Sequence, residues 1–170
     1  MAIVWRESSV VEEELKLPAG WRFDPTDEEL VQFYLSKKVG SEPLPAKVLK
    51  EIDAHHFYQH HPKNLVHDSE RPLQDYFLIH GDEFFHGKID KVKLVGEGNV
   101  GSWRSLGKEE EVVDENRNVI AFKIHSTFFS SKSKRTHWKM QLYRLPASNN
   151  LEDSGREEWV VARIRGAQEF

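Results

Sequence analysis

The sequence predicts an α+β fold, with helices first and an antiparallel sheet after them. Helix-start signals are confined to the first third of the chain. From Asp75 onward, runs of aromatic and β-branched residues alternate with polar ones between turn signals. At 170 residues, with 38% hydrophobic residues, five Trp and ten Phe, the chain can bury the core of one domain. The expected layout is a disordered acidic lead-in over residues 1–14, a folded domain over 15–165 and a tail over 166–170.

Each element has its own warrant. Thr26 can act as N-cap, with Glu29 bonding back to it as a capping box, and Pro25 and Leu30 can form a hydrophobic staple. Asp27, Glu28 and Glu29 suit the positive end of the helix dipole. A helix is therefore expected from about Asp27 to Lys38, with Leu30, Phe33, Tyr34 and the stem of Lys37 facing inward and Gly40 as its stop. Pro43 and Pro45 break the chain before a short helical piece around Ala46 to Glu51. Residues 53–71 carry five histidines and Pro62, and are expected to be loop with one short helical turn.

The strands come next. Asp75 to His80 is one. Val112 to Ile124 reads as a hairpin, with Asp114 to Asn118 as the turn and Ile120, Phe122 and Ile124 on one face. Gly96 to Gly101 is a turn before a strand at Trp103. In Thr136 to Leu145, Trp138, Met140 and Leu142 alternate with His137, Lys139 and Gln141, which predicts a half-buried strand with a polar outer face. Glu157 to Arg165 supplies the last strand.

Composition narrows the function. No apolar run approaches the ~18 residues of a membrane span, and the N-terminus lacks a signal-peptide layout. The absence of cysteine excludes disulfides, thiolate zinc sites and a thiol nucleophile. His55, His56, His60 and His61 could gather a metal only if their segment were helical; a solvated loop is the simpler reading, and no metal or cofactor is expected. There is no G-x-S-x-G or H-E-x-x-H, Glu28 and Glu29 lie on different helix faces, and Glu97 spoils the glycine-rich run as a phosphate loop. An enzyme is not expected. The net charge is −4, yet it is unevenly spread: residues 1–30 hold eight acids and three bases, while Phe122 to Arg144 hold six bases and no acid. Such a local field can attract phosphates despite the negative total.

The string LPAGWRFDPTDEEL (17–30) closely resembles the opening of the plant NAC domain, L-P-P-G-F-R-F-x-P-T-D-E-E-L. Later landmarks follow in order. Glu42–Pro45 is similar to A-P-L-P and is followed by Glu51-Ile52-Asp53. Asp75-Tyr76-Phe77 stands where the family has W-Y-F-F. Gly101, Trp103 and Gly107 keep the frame of G-Y-W-K-A-T-G. Lys134 to Trp138 resembles G-x-K-T-N-W, and Tyr143-Arg144-Leu145 matches the end of H-E-Y-R-L. Glu157 to Val160 with Arg163-Ile164 resembles D-D-W-V-L-C-R-I. The resemblance spans roughly Leu15 to Arg165 and implies a twisted antiparallel sheet flanked by a few helices, in a nuclear transcription regulator that binds double-stranded DNA.

The resemblance also implies sites. Dimerisation with a second copy or another NAC protein would use a strand at Leu17 and Pro18 and an ion pair between Arg22 and Glu29; the plainer reading is an ion pair within one chain beside the helix start. Arg104 and Ser105 would face bases in the major groove, while Lys93, Lys132, Lys134 and Arg135 hold phosphates. Three features depart from the pattern. Leu106 and Ser102 replace a Thr and a Tyr, one upstream arginine is missing next to Glu97, and Glu109 to Glu111 follow the reading strand. Carboxylates flanking that strand would repel phosphates. They would favour an alternative, a degenerate NAC-like module that pairs with proteins and binds DNA weakly or not at all. Carboxylates turned away would favour the DNA reader.

Overall fold

The structure, a computed structural model, describes residues 23–45, 48–66, 73–81, 92–146 and 159–166. The expected lead-in, Leu17, Pro18, Arg22, and residues 167–170 of the tail lie outside these.

A continuous helix opens the described chain: α1 (Asp27–Leu30), a π-helical turn (Val31–Leu35) and α2 (Ser36–Val39). Its start is the expected capping box, with Glu29 N–H donating to Thr26 Oγ1 (3.1 Å) and Thr26 N–H to Glu29 Oε1 (3.0 Å). The π turn, closed by Ser36 N–H on the Val31 carbonyl, carries Val31, Tyr34 and Leu35, all fully buried. Leu30 and Tyr34 face inward as expected, and Val31 and Leu35 join them.

Among the described residues, seven strands form one sheet in the order β1-β2-β7-β6-β5-β4-β3: β1 (Lys50–Asp53), β2 (Leu73–His80), β3 (Val92–Val95), β4 (Gly101–Val113), β5 (Val119–Ser130), β6 (Arg135–Arg144) and β7 (Trp159–Gly166). All neighbours are antiparallel except β1 and β2, which run parallel. Two expectations need correction here. Lys50 to Asp53 is a strand, not the end of a helical piece; once paired with Phe77–His80 its backbone groups are met by the sheet. The described part of the histidine-rich segment, residues 53–66, forms two short helices, α3 (Ala54–Phe57) and α4 (Pro62–Leu65), where one helical turn was expected. Asp53 caps α3 by accepting from His56 N–H (3.4 Å). His61 Nδ1 caps α4 by accepting from Lys63 N–H (3.1 Å). The His61 ring packs edge-on against Phe128 (4.7 Å), so it belongs to the structure of this corner.

Each face of the sheet carries a buried cluster, under different partners. The inner face carries Phe77, Ile79, Trp103, Ile124, Phe128, Trp138, Met140 and Leu142 under α3 and α4. The outer face carries Tyr76, Leu78, Val112, Ala121, Tyr143 and Val161 under the first helix and Phe23. β6 keeps its expected alternation, although Tyr143, on the supposed polar face, is fully buried because the helix covers it. The β4–β5 turn forms at Asp114–Asn118, where Asp114 accepts from the Asn116 and Asn118 N–H groups (2.8 and 2.9 Å). A register shift beside it pairs Val113 with Val119 and Val112 with Ala121. The extra residue, Ile120, thereby packs with the outer cluster while Phe122 and Ile124 pack with the inner one, not all three on one face. Among the described residues, no helix is long and apolar enough to cross a membrane.

Candidate nucleic-acid interface

Among the described residues, β3 pairs with β4 from Gly101 to Arg104, and beyond that β4 is the edge strand. The Trp103–Gly107 run therefore straddles the point where the described part of β3 ends. Gly101 is required because a β-carbon there would collide with the Phe129 carbonyl and the Phe128 ring. Trp103 is fully buried and meets Phe128 edge-on at 5.2 Å, which anchors the strand. Strand alternation then sends Arg104 to the outer face. Its guanidinium lies 4.2 Å from the Phe129 ring centroid and donates to Ser102 Oγ and Ser133 Oγ, both at 3.3 Å.

Ser133 belongs to the β5–β6 hairpin tip. That tip is closed by Ser133 N–H on the Ser130 carbonyl (2.8 Å) and Lys134 N–H on Ser130 Oγ (3.2 Å), with Ser133 at φ 59°. Lys132, Lys134 and Arg135 are exposed on it. The fold thus brings Arg104 to three of the expected phosphate-binding residues, and Ser133 and Phe129 hold it there. Neither of these two supports was legible in the sequence, because their contact depends on β5 register.

Two expected residues stand elsewhere. Lys93 pairs with Trp103 on the inner side, its ammonium 5.2 Å from the Tyr58 ring centroid. Ser105 pairs with Ser126, also on the inner side. They flank the edge from the face opposite Arg104. Glu29 completes the capping box at the helix start, whereas Leu17, Pro18 and Arg22 lie outside the described residues.

The acidic run is largely neutralised by its own sheet. A bulge between Leu106 and Glu110, with Gly107 at φ +71°, reorients β4. Glu109 accepts two hydrogen bonds from Arg144 Nη2 (2.8 and 3.0 Å), and Glu110 meets His125 Nε2 at 3.2 Å and Lys123 Nζ at 3.6 Å. The hydrogen bond from His125, then the charges of His125 and Lys123, hold the Glu110 carboxyl below its usual range against slight burial. Glu111, opposite Phe122, stays exposed.

This neutralisation also consumes cations. Of the six bases between Phe122 and Arg144, Arg144 is engaged by Glu109. Lys123 is engaged by Glu110 and, at 2.7 Å, by Asp27. Asp27 also accepts from the Tyr143 hydroxyl (2.7 Å), and Arg163 lies 3.9 Å away. Burial pushes the Asp27 carboxyl up, but the hydrogen bonds from Lys123 and Tyr143 and the charges of Lys123 and Arg163 outweigh it, leaving its pKa lowered. Among the described residues, no group of three or more His, Asp or Glu is placed to hold a metal.

The protein-family description "No apical meristem (NAM) protein" matches residues 18–145. NAC domain-containing protein 83 of Arabidopsis thaliana is 33% identical over 154 residues, covering 88% of this chain and 58% of that protein. Protein ATAF2 of Arabidopsis thaliana is 34% identical over 161 residues (89% and 54%). NAC domain-containing protein 68 of Oryza sativa subsp. japonica is 31% identical over 163 residues (90% and 49%). The chain spans about half the length of the curated relatives it matches. With the family description covering most of the chain, from residue 18 to the end of β6, this protein belongs to the NAM/NAC domain family, a non-enzymatic family of plant transcription factors.

Proposed function

We propose that this chain is the sequence-specific DNA-binding and dimerisation domain of a nuclear transcription regulator. One observation carries the reading: Arg104, on the strand that matches the family's reading strand, is held by Ser133 at the tip of the basic Lys132–Arg135 hairpin. A planar guanidinium can make a bidentate guanine contact, with phosphate-binding cations beside it. The turning of Glu109 and Glu110 toward Arg144, His125 and Lys123 removes most of the repulsion that the sequence alone suggested. Lys93 and Ser105 would meet the duplex from the other flank of the edge. Dimerisation through Leu17, Pro18, Arg22 and Glu29, with a second copy or another NAC protein, rests on the family alone.

The test is selection from a randomised duplex pool at two salt concentrations. Enrichment of a defined motif, lost in Arg104→Ala, is the expected result. Binding without enrichment, with a salt slope of about −0.9 per phosphate contact, would show a backbone grip with no base reading. A chain that dimerises yet binds no DNA at low salt would instead be the protein-interaction module; exposed Glu111 and inward-turned Ser105 are the observations on that side.

A further inference from the structure

One row of residues crosses the open part of the outer sheet face at a right angle to the strands. Arg104 pairs with Thr127, Thr127 with Lys139, Lys139 with Arg165, and Arg165 with Gln74. Side chains directly opposite one another share a face, so the three cations point the same way. At about 4.8 Å per strand spacing, Arg104 and Arg165 stand roughly 14 Å apart. Lys139 and Arg165 are adjacent like charges, an arrangement that costs stability in a sheet.

Nothing acidic relieves that cost among the described residues. Lys139 Nζ donates to Thr127 Oγ1 (3.1 Å) and Arg165 Nε to Gln74 Oε1 (2.6 Å), both neutral acceptors. Two carboxylates that reach this face, Glu110 and Asp27, already engage Lys123 and His125 or Lys123 and Tyr143, and the charge of Asp24 is felt at Tyr76 beside the row. Burial, then the charge of Arg135, holds the Lys139 ammonium below its usual range. Between the row and the helix-covered region lies a cleft of about 440 Å³ lined by His125, Lys139, Gln141, Arg163 and Arg165. A row of cations facing an open cleft suits a run of anionic oxygens.

We infer that Lys139 and Arg165 continue the phosphate-binding surface from Arg104 and the Lys132–Arg135 tip across the outer face of the sheet, so that the backbone of a bound duplex passes over β5, β6 and β7. Continuity with the hairpin tip favours a nucleic-acid backbone over an isolated anion. The inference rests on the DNA-binding reading and extends it to residues beyond the reading strand and its loop.

The deciding experiment measures the salt dependence of binding to the selected duplex for the full chain and a Lys139→Ala/Arg165→Ala variant. The log–log slope should become shallower by about 1.8, at about 0.9 per lost contact, with the selected sequence unchanged. Exchanging the two cations, Lys139→Arg with Arg165→Lys, should keep the wild-type slope. Melting at low salt serves as the folding control, and the alanine variant should melt no lower than the parent. If the wild type selects a sequence but the alanine variant keeps the full slope, the row is not a contact and the DNA reading stands. If a slope loss persists in the exchanged variant as well, charge is not what the row supplies. If the wild type binds no duplex, both fall.

Discussion

The outer face of the sheet has two halves, and they spend their cations differently. Under the first helix, Lys123 and Arg163 converge on Asp27 with Tyr143, and the charges serve to dock the helix. On the open half, Arg104, Lys139 and Arg165 lean on neutral oxygens or an aromatic ring and keep their charge available. Each half takes one cation from the basic stretch, Lys123 or Lys139, and the rest from β4 and β7. The difference teaches that local basicity sets an upper limit on anion binding, and packing decides how much of it is left over.

That contrast can be broken most forcefully on the covered side. Asp27→Ala removes the anion shared by Lys123 and Tyr143, so urea unfolding should show a loss of about 2–3 kcal/mol. Because the Asp27 carboxyl has a lowered folded pKa, its contribution is full above the unfolded value of about 3.9 and is lost as pH falls through the folded one. Asp27→Asn should flatten that acid limb, and an unchanged limb would deny the network its role.

On the open side, Arg104→Ala should leave unfolding within about 0.5 kcal/mol of the parent. It should nevertheless cost about 1–3 kcal/mol in discrimination between the selected duplex and a substituted one. A variant equally damaged in both measurements would place Arg104 among structural cations, like Lys123.

Two smaller effects sharpen the picture. The Tyr34 hydroxyl is buried with no hydrogen-bond partner among the described residues, and burial raises its pKa above the usual value. Tyr34→Phe should therefore raise stability by about 1 kcal/mol, or about 2–4 °C in Tm. Least of all, Lys139→Ala should gain a few tenths of a kcal/mol at low salt by relieving Arg165, on the order of 0.2–1 kcal/mol. That gain should fade at about 1 M salt, where the screening length falls to about 3 Å. A stability loss at low salt would mean that Lys139 is held by something other than Thr127.

Much of the fold was legible because its signals are local. Thr26 and Glu29 are three residues apart, so their capping box can be seen in the chain, and the Asp114–Asn118 turn and the alternation from Trp138 to Leu142 are equally short-range. The misread elements depend on remote partners. Lys50–Asp53 is a strand because Phe77–His80 lies beside it, and Ile120 leaves the face of Ile124 because the register shifts at Val113. Arg104 and the Lys132–Arg135 tip were each identifiable as candidates. Their meeting through Ser133 was not, since the two residues are 29 positions apart.

The sequence by itself determined the capped helix, the strand periodicities and the family, because capping, alternation and motif spacing are written over a few neighbouring residues. Only the tertiary structure decided which charges remain available. Whether Glu109 meets Arg144 or a phosphate, and whether Lys139 stands opposite Arg165 or an acid, depends on strand register. Register is fixed by the packing of two whole sheet faces, and a slip of one residue would turn every side chain to the other face.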